Sequence, residues 1–202
     1  MRIILFICFT FICSLTNAAE SVDSNPNQVL RSVSANTFSR INNAKDQLSE
    51  NPAYIKTIIK EELIPYFDYK YASYKVMGSY LKDTTIEQRN EFVEVFKSYL
   101  INAYSHILYE YDQQEVVIQD NNYFADKSII SIPVSIRDKN DQITKIAFKL
   151  RKNKNTGEWK VFDVIAEGIS MLDTKESEFS ELLYKKGVAH VIELLQTKNS
   201  EF

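Results

Sequence analysis

Apolar residues in the first half of the chain recur at three- and four-residue steps, the spacing of amphipathic helices. Because proline ends or begins helices, the prolines divide this half into separate elements. Three helices are predicted in succession: residues 26–50, a second that starts at Asn51-Pro52 and ends at Pro65, and residues 66–77. Gly78 is well placed to cap the third.

A longer fourth helix is predicted to begin near residue 85 and to run to about Tyr111. Thr85 with Gln88 has the form of a capping box, and Thr84 with Glu87 fits the same pattern equally well. The apolar stripe is wider than a packing seam needs, so we expect it to face something large. Its residues are Phe92, Val95, Phe96, Tyr99, Leu100, Ala103, Tyr104 and Ile107.

Alternation of apolar and polar residues replaces helical spacing from Gln114 onward. Four strands are predicted: residues 115–119, 128–137, 143–152 and 159–165. Turn-forming residues lie at 138–141 and 153–157, so the sheet should be antiparallel. Pro133 cannot donate a backbone hydrogen bond, which predicts a sheet edge or a bulge there. A final helix is predicted over residues 176–195, with Gly187 as its weak point.

The last strand is apolar on both of its alternating faces. The predicted faces are Trp159, Val161, Asp163 and Ile165 on one side and Phe162, Val164 and Ala166 on the other. Such a strand should be central, with an apolar layer against each side of the sheet. Either both layers are packed protein, or one is a bound apolar ligand.

The amino terminus has the form of a secretory signal peptide. A short positive start is followed by an apolar run and small residues, which predicts a signal peptide over residues 1–18, cleaved after Ala18 or Ala19. Residues 19–202 are then expected to form a single domain. The apolar run is too short to span a bilayer comfortably.

Both cysteines lie within the predicted signal peptide, so the mature chain should have no disulfide, thiol nucleophile or thiolate metal site. The full chain carries a formal net charge of -3. An acidic balance of this kind argues against nucleic acid as a partner.

Residues that would indicate an enzyme or a metal protein are scarce. The four glycines are too widely spaced for a dinucleotide or phosphate loop, and His106 and His190 have no companion at metal-ligand spacing. The acid pairs Glu61-Glu62 and Asp163 with Glu167 suit structural roles better than general acid–base catalysis. We therefore expect no catalytic site, no metal and no cofactor.

Several motifs along the mature chain are shared with a known family. They are Pro65-Tyr66-Phe67-Asp68, Val76-Met77-Gly78, Glu87-Gln88 with Phe92 and Phe96, Trp159-Lys160-Val161-Phe162-Asp163-Val164, Glu167-Gly168-Ile169-Ser170, Phe179 and Gly187. In these the chain resembles the MlaC-type periplasmic phospholipid-binding proteins, also called the toluene-tolerance family. It departs from the family at Leu81, where Trp is common, and at Lys175-Glu176, where Tyr-Arg is common.

The resemblance implies an α+β fold similar to NTF2-like proteins, in which helices pack around a curved antiparallel sheet of about four or five strands and enclose an apolar pocket. It also implies a soluble periplasmic carrier that shuttles phospholipid between the outer and inner membranes and maintains outer-membrane lipid asymmetry. The implied partners are an inner-membrane MCE-domain protein of an ABC transporter and an outer-membrane lipoprotein complex. The phospholipid is cargo rather than a cofactor.

The residues predicted to line the acyl-chain pocket come from the helical stripes and the strands. They are Phe67, Val76, Met77, Phe92, Phe96, Tyr99, Leu100, Ala103, Tyr104, Ile130, Ile132, Val134, Phe148, Val161, Ile165 and Phe179. The alternative interpretation is a secreted NTF2-like module that binds a protein and no lipid. An enzyme of the same fold is a third and more distant interpretation.

Overall fold

The computed structural model describes residues 25–111 and 113–200. The predicted signal peptide lies outside the described residues. Within the described residues six α-helices and five strands follow one another: α1 (Pro26–Asn43), α2 (Lys45–Glu50), α3 (Tyr54–Glu62), α4 (Tyr69–Met77), α5 (Ile86–Tyr109), β1 (Glu115–Ile118), β2 (Ile129–Arg137), β3 (Ile143–Lys152), β4 (Trp159–Ala166), β5 (Ile169–Ser170) and α6 (Met171–Ser200). Two short 3-10 helices, Ile64–Tyr66 and Gly78–Asp83, lie before and after α4. The strands form one antiparallel sheet in sequence order, which confirms the predicted α+β class.

The first predicted helix is broken at Ala44, so the prediction of one helix over residues 26–50 was wrong. Ala44 has φ −102° and ψ 12°, and its N–H is shared between the carbonyl groups of Arg40 and Ile41 at 3.1 and 3.2 Å. Neither glycine nor proline marks this break in the sequence. The break lets Ile41 and Leu48 pack into the same apolar cluster against α3.

The third predicted helix begins later than expected, because Asp68 caps it. The N–H of Tyr71 donates to Asp68 Oδ1 at 3.1 Å, and α4 begins at Tyr69. Phe67 is extended and forms a parallel bridge with Val161 of β4. The N–H of Asp68 donates to the carbonyl group of Val161 at 2.7 Å, so this short segment covers the edge of β4.

The start of α5 confirms the first of the two capping-box assignments. The N–H of Gln88 donates to Thr85 Oγ1 at 3.2 Å, and the N–H of Thr85 donates to Gln88 Oε1 at 3.0 Å. Thr84 instead accepts from Arg89 Nε at 3.0 Å.

Pro133 lies inside a strand that has neighbours on both sides. Its register partner on β3 is Ala147, and its carbonyl oxygen accepts a hydrogen bond from Gln119, just after β1 ends, at 3.0 Å. The N and O of one strand residue face the same neighbour, so the missing donor faces the point where β1 has ended. The predicted alternatives were a sheet edge or a bulge. In the structure β1 ends at Ile118, before the point where Pro133 would interrupt the hydrogen bonds between β1 and β2.

The irregularity in the sheet lies in β4 instead. Lys149 is opposite Asp163 but Leu150 is opposite Val161, so Phe162 is an extra residue in β4. An extra residue reverses the alternation beyond it. Trp159 and Val161 therefore share a face with Val164 and Ala166, and the predicted assignment of faces was wrong beyond Val161.

Three clusters of buried apolar side chains hold the fold together. The helical cluster joins α4, α5 and α6 and includes Ala72, Val76, Met77, Phe92, Phe96, Phe162, Leu172, Phe179, Leu183, Val188, Val191, Ile192 and Leu195. The sheet cluster covers one face of the sheet and includes Leu30, Ile118, Ile130, Ile132, Val134, Leu150, Trp159 and Val161. The N-terminal cluster includes Ile41, Leu48, Ile55, Ile58, Ile59, Ile64 and Ile101.

The last helix is longer than predicted and changes direction at Gly187. This residue has φ 76° and ψ 173°, a conformation essentially restricted to glycine. Buried residues lie on both sides of the break, including Phe179 and Leu183 before it and Val191 and Leu195 after it. Both segments therefore pack into the helical cluster.

Candidate functional site

The structure divides the predicted pocket residues between two of the clusters. The helical cluster contains Val76, Met77, Phe92, Phe96 and Phe179, with Tyr99 and Leu100 packed against it. The sheet cluster contains Ile130, Ile132, Val134 and Val161, with Phe148 packed against it. Phe67 packs against both clusters and therefore joins them.

Phe67 and Tyr104 form the junction of the three clusters. Their ring centroids are 6.1 Å apart in an edge-on arrangement, and Tyr104 also packs against the N-terminal cluster. The adjacent Ala103 is half-buried. Ile165 lies on the opposite face of the sheet from Phe148, because its register partners are Ala147 and Ser170.

Exposure of the apolar sheet face is graded from one end to the other. Leu150 and Ile132 are fully buried, whereas further along the same face the side chains are only partly covered. These partly covered residues are Val116, Ile136, Ile146, Phe148, Val164 and Ala166. Of them the sequence prediction included only Phe148. Ile136 and Ile146 each lie two residues from a predicted pocket residue of the same strand. This alternation could have identified the residues that the prediction omitted.

A cleft of 390 Å³ runs between α1 and the edge of this sheet face. Helix α1 and the first strand supply its walls, and Val116 and Ile118 connect it to the sheet cluster. Its lining residues are Arg31, Ser34, Ala35, Phe38, Tyr111, Gln114, Val116 and Ile118. The guanidinium group of Arg31 at this cleft donates to the carbonyl group of Ile118 at 3.1 Å and pairs with Asp120 at 2.7 Å.

Tyr104 is an ionisable side chain at the cluster junction. Burial raises the pKa of Tyr104 above its ordinary value, and the negative charge of Asp163 and the neighbouring Tyr99 raise it further. The phenol is consequently neutral over the whole physiological range. A neutral phenol is compatible with an apolar ligand beside it.

Asp163 is a buried carboxylate with a structural role. Its oxygens accept hydrogen bonds from the hydroxyl group of Ser170 at 2.8 Å and from the N–H of Leu172 at 3.0 Å. Lys149 Nζ lies 3.3 Å from the same carboxylate. The carboxylate thus stabilises the start of α6 and joins it to the sheet.

The acid pair Glu61-Glu62 also has a structural role. Glu61 and Glu62 both pair with the guanidinium group of Arg40, which ties α3 to α1. Among residues 25–111 and 113–200 no group of three or more His, Cys, Asp or Glu side chains could hold a metal ion. The arrangement offers apolar surface and structural ion pairs.

Lys175, one of the departures noted in the sequence, lies over the ring of Tyr99, with its ammonium group 5.4 Å from the ring centroid. Burial lowers the pKa of Lys175, but hydrogen bonds with Glu178 and Tyr99 outweigh this effect, so its pKa is above the ordinary value. Lys175 therefore remains charged beside a predicted pocket residue.

In the described part of the chain no helix is both long and apolar enough to cross a membrane.

The model of the MlaC protein family matches residues 31–197. The chain is 31% identical over 200 residues to the intermembrane phospholipid transport system binding protein MlaC of Haemophilus influenzae, covering 98% of this chain and 92% of that protein. It is 26% identical over 174 residues to the toluene tolerance protein ttg2D of Pseudomonas putida, covering 86% and 78%.

A solved structure has the same fold. The phospholipid-binding protein of Ralstonia solanacearum, determined in complex with a phospholipid, superposes with a TM-score of 0.78. The sequence identity is 20%, and the match covers 88% of this chain and 98% of that one.

Proposed function

Because this chain belongs to the MlaC family, we propose that it binds a phospholipid by its acyl chains and carries it between membranes. The observation that carries the proposal is the partly covered apolar face of the sheet, which meets the wide stripe of α5 at Phe67 and Tyr104. The names of the relatives, which refer to phospholipid binding and intermembrane transport, support it.

The energetics require such a surface. Burying a methylene group is worth about 0.8 kcal/mol, so two acyl chains with about 30 methylenes hold a phospholipid in its bilayer by on the order of 20 kcal/mol. A carrier must offer apolar surface of comparable extent and leave the charged headgroup hydrated. The proposed activity makes and breaks no covalent bond.

The acyl chains are proposed to lie between the sheet face and α5, in contact with Val116, Ile136, Ile146 and the residues predicted from the sequence. The exception is Ile165, which lies on the opposite face of the sheet. Of these residues, Phe67 and Tyr104 are half-buried and form the junction itself. Entry of a chain would separate the helical cluster from the sheet cluster at Phe67.

The proposed setting is the periplasm, reached through cleavage of the signal peptide after Ala18 or Ala19, with residues 19–202 as one lipid-binding domain. The proposed partners are an inner-membrane MCE-domain protein of an ABC transporter and an outer-membrane lipoprotein complex. Each would have to open the cluster junction to load or release the lipid.

Mass spectrometry tests the proposal directly. We expect the mature chain from Glu20 onward, purified without detergent, to carry a stoichiometric phospholipid under native conditions and to release it on denaturation. A ligand-free mass that persists after incubation with phospholipid vesicles would contradict the proposal. That result would favour the alternative, a protein-binding module whose apolar faces pack only internally.

A further inference from the structure

Trp159 carries a buried hydrogen-bond donor without a protein acceptor. Its side chain is 2% exposed, and its indole Nε1 has no hydrogen-bond partner among the described residues. Burying a donor unpaired is unfavourable, and native proteins rarely leave one without a reason. An indole N–H can only donate, so a ligand that satisfies it must present an acceptor atom.

The position of Trp159 indicates what that acceptor is. Trp159 lies in the sheet cluster at the start of β4, beside Leu150 and Val161 on the same face. Its register partner is Lys152, whose ammonium group lies 5.9 Å from the indole ring centroid. At this end of the sheet face the apolar side chains therefore give way to a neutral donor with a cation beside it.

A glycerophospholipid presents the complementary groups, because its acyl chains end in ester carbonyl groups that lie close to a phosphate. We propose that the indole N–H of Trp159 donates a hydrogen bond to an ester carbonyl oxygen of the bound phospholipid. The inference rests on the proposed function and adds a polar contact that fixes the depth and direction of the lipid. The phosphate would then lie towards Lys152.

A lipid pair that differs only at the acceptor tests this contact. The probes are dioleoyl phosphatidylglycerol and its dioleyl ether analogue, which has the same headgroup and chain length but no carbonyl groups. One neutral hydrogen bond is worth a factor of about three to ten in affinity, so the ether lipid should bind the delipidated wild-type protein more weakly by that factor.

Trp159→Phe removes the donor and keeps an aromatic ring. We expect this variant to bind both lipids with the same affinity, close to that of wild type for the ether lipid, because the two changes remove one interaction. The control is Phe148→Leu, which reduces apolar contact in the same cluster without touching a polar atom. It should weaken binding of both lipids together and preserve their ratio.

A spectroscopic measurement does not depend on a variant. Trp159 is the single tryptophan of the chain, so the ¹⁵N-labelled protein gives one indole N–H signal. Loading the diester lipid should move this proton signal downfield and slow its exchange with solvent, and loading the ether lipid should do neither.

The outcomes separate this inference from the proposed function. Equal affinity of wild type for the two lipids, or an unchanged preference in Trp159→Phe, would overturn the hydrogen bond while leaving lipid binding intact. Binding of neither lipid to wild type would reject the proposed function and this inference with it.

Discussion

Tyr104 brings an ionisable group to the place where three apolar clusters meet. Burial and the charge of Asp163 both disfavour its phenolate form, which raises the pKa of Tyr104 in the folded protein. In the unfolded chain a tyrosine ionises at about pH 10. Below that pH both states are neutral and the group has no effect on the pH dependence of stability. Above it the unfolded state ionises first, so stability is lost as pH rises.

We therefore expect Tyr104→Phe to have little effect on the pH dependence of urea unfolding below pH about 9 and a clear effect above pH about 10. In the alkaline range the free energy of unfolding of wild type should fall more steeply than that of the variant, by up to about 1.4 kcal/mol per pH unit. Tyr184→Phe is the control, because Tyr184 is 76% exposed. Parallel pH profiles for wild type and Tyr104→Phe would show that the phenol is not buried.

At the scale of elements, the break at Gly187 sets the direction of the last part of α6. A residue with a β-carbon is strained at φ 76° and ψ 173°. Apart from the adjacent residues and the backbone of the helix itself, no heavy atom lies within 4 Å of where that β-carbon would be. A side chain at residue 187 would therefore be unfavourable because of the backbone conformation and not because of a steric clash. Straightening the helix would relieve this backbone strain only by displacing Val188 and Val191 from the helical cluster.

Gly187→Ala should lower the free energy of unfolding by roughly 1–3 kcal/mol, measured by urea denaturation. Lys186→Ala, at the exposed preceding position, is the control and should change stability by less than about 0.5 kcal/mol. If the two variants were equally stable, the backbone at residue 187 would not be in the glycine conformation.

The sequence predicted those elements whose signals are local. A capping box at Thr84 or Thr85, the strand ends and much of the apolar stripe of α5 follow from residue type and spacing. Within that stripe the predicted Ile107 is 66% exposed, and the buried Val93 and Ile101 were not predicted. The break at Ala44 and the extra residue Phe162 have no local signal, because tertiary packing of Ile41 and of the β4 face decides them. For the same reason the alternation in the sequence correctly placed Val161 with Trp159 on one face but put Val164 on the wrong face.

At the scale of the whole molecule, polar contacts hold the helical layer to the sheet beside the candidate site. Arg151 of β3 pairs with Asp68 at 2.7 Å, and its guanidinium group lies over the ring of Tyr71 at 4.2 Å. Asp68 also caps α4. The helices and the sheet are thus joined beside the junction, and the proposed ligand space is at the junction itself, around Ala103 and Tyr104.

Ala103→Trp tests that arrangement, because it adds a large ring at a half-buried position of α5. If acyl chains lie there, the variant should retain its fold by circular dichroism and carry much less co-purified phospholipid than wild type, measured by native mass spectrometry. Ser98→Trp adds the same ring at an exposed position of the same helix and should leave the lipid content unchanged. Equal lipid content in both variants would move the proposed chain path away from α5.

The place of α6 in the chain has a consequence for synthesis. Phe179, Leu183, Val191 and Leu195 all come from this helix, and without them the helical cluster around Phe92 and Phe96 stays open. A chain that emerges from the ribosome amino terminus first can pair its strands in order as they appear, since each pairs with its neighbour in sequence. It cannot close the helical cluster until the thirty-residue helix α6 has followed. In newly made chains the helical cluster therefore remains open and accessible to chaperones until this helix has been synthesised.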